Sequence, residues 1–388
     1  MSLHELVNDK RKILHLFPSK DHHLAMEAVI EEKCDGKIFV DRIENPQTAA
    51  VWCAPGNEAL LYLAGCCDNA TFNSELHDYF ADTIKPESIT QGLDAFQAYC
   101  SSTWEPALRE IFKGETTFKD RDSYYVLNAA TFKTLQSRWR ETIPPGFTLH
   151  RVQTDDVFTT PGVSTFDKLT SWKSFEKFLK DGFAYYVEED ATHTIVSGCI
   201  TKFVTSTGCE LGVGTHEQYR RRGFATLVTC ATAEEALKKG LTIIWECYHG
   251  NVPSIKTNQK VGFEYLCDEY FYLGFLYESL QNDLFSGYYY ITELHNPEEA
   301  AFWFKRAIAL SEKENKPLSS GYNFYAASAF ALMGEYDLAL ERLSAAVDIV
   351  QDKREFYNKL QTEKAFDDLR ESLAFKKVLH RLEEKFVQ

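Results

Sequence analysis

The sequence predicts an α/β (α+β) body followed by an all-α region. Over residues 147–275, strand-like and helix-like runs alternate as β-α-β-β-β-α-β-α-β. From about Leu276 the composition turns helical, with small and aromatic residues at helical spacing. Pro144-Pro145-Gly146 can continue neither a helix nor a ladder and marks a boundary. The expected parts are a mixed α/β lobe over 1–143, an α/β domain over 147–275 and a helical domain over 280–388.

In the first lobe, Leu24 to Glu32 reads as a helix, with His22-His23 at a solvated helix start. Gly36 to Asp41, Ala49 to Cys53 and Ala59 to Ala64 read as strands, with the turn residues Asn45-Pro46 between the first two. Phe72-Asn73 opens a helix. Gly92 to Tyr99 and Trp104 to Phe112 suit either helix or strand. Tyr124 to Leu127 reads as a strand and Leu135 to Arg140 as a helical stretch.

Beyond the boundary, Phe147 to Val152 begins a new strand, a polar loop follows, and a helix runs from Trp172 to Asp181 with Ser171 as its cap. Phe183 to Glu188 and Thr194 to Thr205 pair through a turn at Asp190 to His193. Glu210 to Thr215 is the next strand. A helix beginning at about Gly223 and a strand from Leu241 to Cys247 follow it.

The 388 residues, 44% hydrophobic, suffice for two or three cores. No run of about 18 apolar residues occurs, so no membrane span is expected. The polar N-terminus lacks the apolar stretch of a secretory signal. Ten cysteines without a C-x-x-C pair read as reduced, mostly buried thiols of a cytoplasmic protein, and no metal site is expected. A net charge of −15 excludes a broad basic face for nucleic acid. One concentrated basic spot in an acidic chain suits an anionic cofactor and a cationic substrate.

That spot lies within E-L-G-V-G-T-H-E-Q-Y-R-R-R-G-F-A-T, residues 210–226. A strand passes through an arginine-rich turn into a helix. Free N–H groups and the positive dipole end at a helix start favour an anion. Gly223 and Ala225 let it approach the backbone, and Arg220, Arg221 and Arg222 add charge-assisted hydrogen bonds. After the next strand come Asn251-Val252-Pro253-Ser254, a short helix and Lys260-Val261-Gly262-Phe263.

Together these motifs resemble the two cofactor-binding motifs of GCN5-related N-acetyltransferases, in their usual order and separation. The wording of E-L-G-V-G-T, W-E-C and N-V-P-S…K-V-G-F resembles the branch containing zwittermicin A resistance proteins. The resemblance spans about Phe147 to Phe275. It implies the acetyltransferase fold, a degenerate first lobe without a second cofactor site, and acetyl-CoA as cofactor. The diphosphate would sit on the main chain from Arg221 through Gly223, Phe224 and Ala225 to Thr226. The pantetheine arm would pair with Val213 to Thr215, and Asn251 would bond the cofactor with Ser254 beside it.

An alkylammonium is mostly protonated at neutral pH, so attack on a thioester needs a base. Glu210 matches the position of a glutamate base in histone-type relatives. Many family members carry a tyrosine seven residues after the asparagine as general acid; here that position is Asn258, which can hydrogen-bond sulfur but cannot serve as an acid. Tyr248, Tyr270 and Tyr272 are other candidates for that role, each weighed against simple packing. Cys247 as an acyl-enzyme nucleophile is weighed against buried filler.

In the last third, Pro297 to Leu310 and Gly334 to Val347 share a small-and-aromatic rhythm, with Ala300 and Ala339 corresponding. Gly334-x-Tyr336-x-x-Ala339 resembles a tetratricopeptide repeat, and Glu363 to Phe375 and on to Phe386 resembles the ending after such repeats. Such helices bind a protein partner, dock on their own chain or cap an apolar face. The functional expectation is an acetyl-CoA-dependent N-acetyltransferase acting on a small-molecule amine, such as an aminated antibiotic. The alternative is a CoA-binding, catalytically silent domain presenting the helices to a partner protein.

Overall fold

The computed structural model describes residues 3–17, 23–54, 58–154, 172 and 174–384. Met1–Leu276 form one unit and Tyr277–Gln388 a second. The sequence cap Ser171, His22 and most of the polar loop lie outside the described residues.

The first unit opens with strand β1 (His4–Glu5), helix α1 (Leu24–Ile30) and strands β2 (Lys37–Val40), β3 (Thr48–Cys53) and β4 (Leu60–Gly65). Helix α2 (Ala70–Tyr79) runs through a wider turn at Phe80–Ile84 into α3 (Lys85–Thr90). Strand β5 (Ala95–Tyr99), helix α4 (Glu105–Ile111), strand β6 (Thr117–Leu127) and helix α5 (Ala129–Leu135) follow. The second half holds β7 (Phe147–Arg151), α6 (Phe175–Asp181), β8 (Ala184–Glu189), β9 (Thr194–Val204) and β10 (Gly208–Thr215). It closes with α7 (Phe224–Lys238), β11 (Thr242–Tyr248), α8 (Val252–Val261) and β12 (Phe263–Phe275).

The segments left open in the sequence resolve as strand β5 and helix α4, the latter with Pro106 in its first turn, where its missing N–H is no loss. The helix expected over Leu135 to Arg140 instead ends at Leu135. Asn128 accepts from the N–H of Ala130 and Thr131 and so starts the helix early. Ser174, not Ser171, caps α6, accepting from the N–H of Lys177. His23 is buried at 3% exposure among Tyr62, Tyr99 and Tyr124, not solvated as expected.

Among the described residues the first unit has one sheet of twelve strands, in the order β1-β2-β3-β4-β5-β12-β6-β11-β10-β9-β8-β7. Both faces are covered, which is why strands such as β3 (Thr-Ala-Ala-Val-Trp-Cys) are buried at every position. The two halves repeat one topology. β2-β3-β4, α2, β5, α4, β6 is matched by β8-β9-β10, α7, β11, α8, β12. Each half then sends its last strand into the other: β12 pairs with β5, and β6 pairs with β11. β6 and β12 also pair with each other along eleven residues of register at the centre. One continuous ladder therefore crosses the Pro144–Gly146 boundary in space.

In both halves the parallel pair is short. β4 meets β5 only from Leu60↔Gln97 to Tyr62↔Tyr99, and β10 meets β11 only from Gly208↔Thr242 to Glu210↔Ile244. Beyond those points β4 and β10 run on without that neighbour.

The second unit is helical: α9 (Leu280–Thr292), α10 (Pro297–Glu314), α11 (Ser320–Leu332), α12 (Tyr336–Ile349), α13 (Lys353–Thr362) and α14 (Leu373–Glu384). Small residues set its spacing. A Cβ on Gly287 would meet the Phe304 ring at 2.9 Å, and Ala326, Ala327, Ala329 and Ala331 are buried on α11. The helix expected from Glu363 to Phe375 is broken. Arg370 folds back and donates to the carbonyls of Leu360, Gln361 and Glu363, ending α13 there.

Candidate active site

The turn between β10 and α7 carries the predicted arginines and the start of α7. Gly223 sits at the helix cap position with φ 89°, and among the described residues no side chain caps the helix and a Cβ added there would meet nothing within 4 Å. The first N–H groups of α7 thus keep their free hydrogens. Arg221 also holds a positive φ of 63°, a conformation costing on the order of 1 kcal/mol or more for a residue with a side chain. Arg220, Arg221 and Arg222 are exposed, whereas Phe224 is buried and anchors the first turn. The Arg222 guanidinium stacks over Phe147, Tyr219 and Phe224, at 5.1 to 5.4 Å from the ring centres. Arg220 donates to the Thr215 carbonyl at 3.4 Å, tying the turn to the end of β10.

Helix α7 is fixed against the sheet by charge and by small side chains. Arg151 grips Glu235 through two hydrogen bonds of 2.9 Å, and Tyr185 donates to the same carboxylate at 2.9 Å. Burial of Cys230, Ala231, Ala233 and Ala236 lets the helix lie close to the strands.

β10 parts from β11 after Glu210, helped by a bulge between Glu210 and Leu211. Its other edge stays paired, with Val213 opposite Cys199 and Thr215 opposite Ser197. The Ser197 hydroxyl lies 2.9 Å from both the Gly214 carbonyl and the Thr215 hydroxyl. Between Glu210 and the arginine turn, one edge of β10 is therefore open toward β11.

Glu210 stands where the strands part, 3% exposed. Its carboxylate lies 3.1 Å from the Lys202 ammonium, which also donates to Glu58 at 2.9 Å. Burial pushes the Glu210 carboxyl above its ordinary value, with Lys202 pulling back. Glu246, on β11, is pushed further up by burial and then by the charges of Glu210 and Asp122. Asp122, on β6, is pushed up to about 6 by burial, although the Tyr99 hydroxyl donates to it at 2.9 Å and pulls it down. Burial pulls Lys202 down, but Glu210, Glu58 and Glu246 raise it well beyond its usual range, so it stays charged.

The remaining predicted residues fall as follows. Asn251 caps α8, its side-chain oxygen accepting from the N–H of Ser254 at 3.2 Å, which leaves its amide hydrogens for another acceptor. Ser254 accepts from the Trp245 indole at 2.9 Å. Asn258 is fully buried, and neither its amide oxygen nor its amide nitrogen has a hydrogen-bond partner among the described residues. A buried amide left this way costs several kcal/mol in an apolar setting, on the order of 2–7. Such a group calls for an explanation. Tyr272 packs with the first half's core and donates to Glu105 at 2.6 Å, Tyr270 is exposed beneath Lys119, and Tyr248 is exposed beside His249. Burial pushes the Cys247 thiol up, away from a thiolate nucleophile.

Sequence reasoning missed Glu58, Asp122, Lys202, Glu246 and the tyrosines Tyr62, Tyr99 and Tyr124. One signal was available: Glu246 shares strand parity with Ile244 in a run apolar on both faces, a position that half-buries a carboxylate. Asp122 and Glu58 carried no comparable mark, because their partners come from distant strands.

The chain is similar to several known proteins. A curated relative, the uncharacterized N-acetyltransferase YdfB of Bacillus subtilis (strain 168), is 24% identical over 265 residues, covering 68% of this chain and 95% of YdfB. The crystal structure of a GCN5-related N-acetyltransferase-like protein from Streptococcus suis 89/1591 matches at 20% identity and a TM-score of 0.51, covering 68% of this chain and 98% of that one. A GCN5-related N-acetyltransferase from Sphaerobacter thermophilus matches at 14% identity and a TM-score of 0.46, covering 72% and 97%. The family model described as GNAT acetyltransferase matches residues 14–272, nearly all of the first unit and every strand of its sheet but β1 and the last residues of β12. By that match the chain belongs to the GNAT acetyltransferase family.

Proposed function

We propose that the chain transfers an acetyl group from acetyl-CoA to a primary amine of a small molecule, with Glu210 as general base. The observation that carries this reading is the parting of β10 from β11 immediately past the buried Glu210. An open strand edge then leads from that carboxylate to an uncapped, arginine-flanked helix start. The family generally uses acetyl-CoA, and the residues here fit it. Among the described residues the space over Gly223 is free and the Asn258 amide lacks a partner.

In this reading the N–H groups from Arg221 to Thr226, with the side chains of Arg220, Arg221 and Arg222, hold the diphosphate. The main chain of Val213 to Thr215 takes the pantetheine arm as an added strand. Asn251 offers its amide hydrogens to the arm beside Ser254, and Asn258 donates to sulfur. When bound, the coenzyme supplies an acyl group activated as a thioester.

Glu210 removes a proton from the acceptor ammonium, so that a neutral amine attacks. A carboxyl raised by burial is a better match for that proton than an exposed one. Lys202 orients Glu210 and limits the rise, while Glu58 shares the lysine's charge. The raised Cys247 thiol favours direct attack over an acyl-enzyme. The motif wording supports the zwittermicin A resistance-like branch, hence an aminated antibiotic as one acceptor. The helix pairs of the second unit, α9 with α10 and α11 with α12, support a tetratricopeptide-like docking region for a protein partner.

Thiol release from acetyl-CoA across a panel of amines tests the proposal. Turnover that disappears in Glu210→Gln while CoA still binds is the expected result. The silent-domain alternative draws on the Glu210–Lys202 ion pair and on Asn258 standing where relatives use tyrosine. CoA binding with no turnover on any amine would decide for it.

A further inference from the structure

The transfer proposed above moves more protons than Glu210 alone can hold. An acceptor ammonium enters with three N–H protons and ends as an amide with one, so two must leave nitrogen. The departing thiolate takes one up, and Asn258, set beside the sulfur in that reading, has no acidic proton to give. A second proton-carrying group is needed where β10 parts from β11.

Strand register puts one there. The two strands last pair at Glu210↔Ile244, so Glu210 and Ile244 share a face of the sheet. Ile244 packs in the core with Leu24 and Val29 of α1, whereas Trp245 and Cys247 pack on the side of α7. Glu246 therefore lies on the α1 side, with its register partner Tyr124 on β6. It is the first residue of β11 past the parting on the face that carries Glu210, and the two carboxylates flank the gap from opposite strands. Two residues of rise and one strand spacing put their Cα atoms about 8 Å apart, close enough for one nitrogen to sit between the carboxylates. Glu246 is also the uncommitted member of the group. Lys202 bridges Glu210 at 3.1 Å and Glu58 at 2.9 Å, and Asp122 accepts from the Tyr99 hydroxyl at 2.9 Å. Glu246 is half-buried and makes no hydrogen bond or ion pair among the described residues. Partial burial and then the charges of Glu210 and Asp122 raise its proton affinity, Lys202 lowers it, and Glu58 raises it again.

We infer that Glu246 is a second catalytic carboxylate, taking the second proton from the acceptor nitrogen across the gap from Glu210. This rests on the acetyl-CoA reading above and adds a residue to the same site. Glu210 takes the first proton, and the nitrogen pair freed by it forms the C–N bond while a carbonyl pair moves onto oxygen. Glu246 then takes the second proton. The oxygen pair restores the carbonyl as the C–S bond breaks, its pair leaving on sulfur. One of the two carboxylic acids returns its proton to the thiolate and the other releases its proton to water, so both carboxylates end as they began.

Ultraviolet titration of the thiol of CoA bound to the full chain tests the placement without turnover. A carboxylate beside the sulfur disfavours the thiolate, so bound CoA is expected to ionise at higher pH than free CoA. Glu246→Gln is expected to lower that midpoint by about one pH unit, and Glu246→Asp, which keeps the charge, to leave most of it in place. Turnover gives a second readout. n-Propylamine, protonated at pH 7, must lose two protons, whereas methoxyamine, already neutral there, must lose one. Glu246→Gln is expected to lower kcat on both amines by about 10²-fold, and Glu210→Gln to slow n-propylamine far more than methoxyamine. A thiol midpoint indifferent to Glu246→Gln, undiminished turnover of both amines by that variant, or a loss confined to n-propylamine would overturn the inference and leave the acetyl-CoA reading standing. CoA failing to bind the unaltered chain would remove that reading, and the inference with it.

Discussion

Two strand-to-helix turns hold matching places in the two halves of this molecule and are built differently. In the first half, β4 leads through Gly65 to α2; in the second, β10 leads through Gly223 to α7. The two glycines have nearly the same φ, 88° and 89°. A Cβ on Gly65 would lie 2.0 Å from the Gln47 carbonyl, whereas one on Gly223 would touch nothing within 4 Å. The α2 start is closed by its own Asn69, whose side chain accepts from the Phe72 N–H at 3.2 Å, and Asp68 precedes it. The α7 start has no side-chain cap and three arginines before it. Gly65 ends β4 four residues before the Asn69 cap, whereas Gly223 is itself the cap of α7, and of the two turns only the second leaves its first N–H groups without a side-chain acceptor among the described residues. Duplicated topology alone does not make an anion site; what the turn does with its own donors decides.

The sharpest break of this comparison is Glu210→Gln. It should lower kcat by about 10² to 10⁴ while leaving the CoA dissociation constant nearly unchanged, measured by thiol release and calorimetry. Next is Gly65→Ala, which forces a side chain into the Gln47 carbonyl. Denaturant titration should show a loss on the order of 3 kcal/mol, with coenzyme affinity of the folded protein intact. In the other turn, Gly223→Ala and Arg222→Ala should each cost about tenfold in CoA affinity, with smaller stability losses, by strain in one case and a lost charge-assisted contact in the other. Asn69→Ala should lower stability by about 1 kcal/mol and leave CoA binding alone.

The carboxylates give the pH dependence. Burial raises Glu210, so the base is lost by protonation as pH falls through a value above the ordinary glutamate range. Lys202→Met should move that acid limb of kcat/KM to higher pH, because the lysine holds the carboxyl down. Asp122 works through stability. Its carboxyl, about 6 when folded against an ordinary 3.8, stabilises the folded state fully below the ordinary value. That contribution is lost as pH rises through about 6. Asp122→Asn should therefore narrow the difference in melting temperature between pH 5 and pH 7.

The part of the candidate site that the sequence singled out is local. Gly223, the arginines and Asn251 lie within two loops, and glycine, cap and charge signals are read over a few residues. Periodicity likewise marks β3, β10 and α7, whose apolar residues recur at a fixed period. The group of carboxylates around Lys202 was not legible, because it assembles from β9, β10, β11, β6 and the second residue before β4. No window of sequence holds Glu58, Asp122, Lys202 and Glu246 together. The exchange of β6 and β12 between halves was hidden for the same reason: strand periodicity tells which face is buried, not which neighbour buries it. The break at Arg370 depended on one long side chain reaching back to carbonyls up to ten residues earlier.

A crystal structure of the protein with bound coenzyme A tests the central claim most directly. The account expects the diphosphate against the main chain of Arg221 to Thr226 and the arm alongside Val213 to Thr215, with the α2 turn at Asn69 left to its own cap. Coenzyme found at the α2 turn, or absent from the α7 turn at saturating concentration, would contradict it.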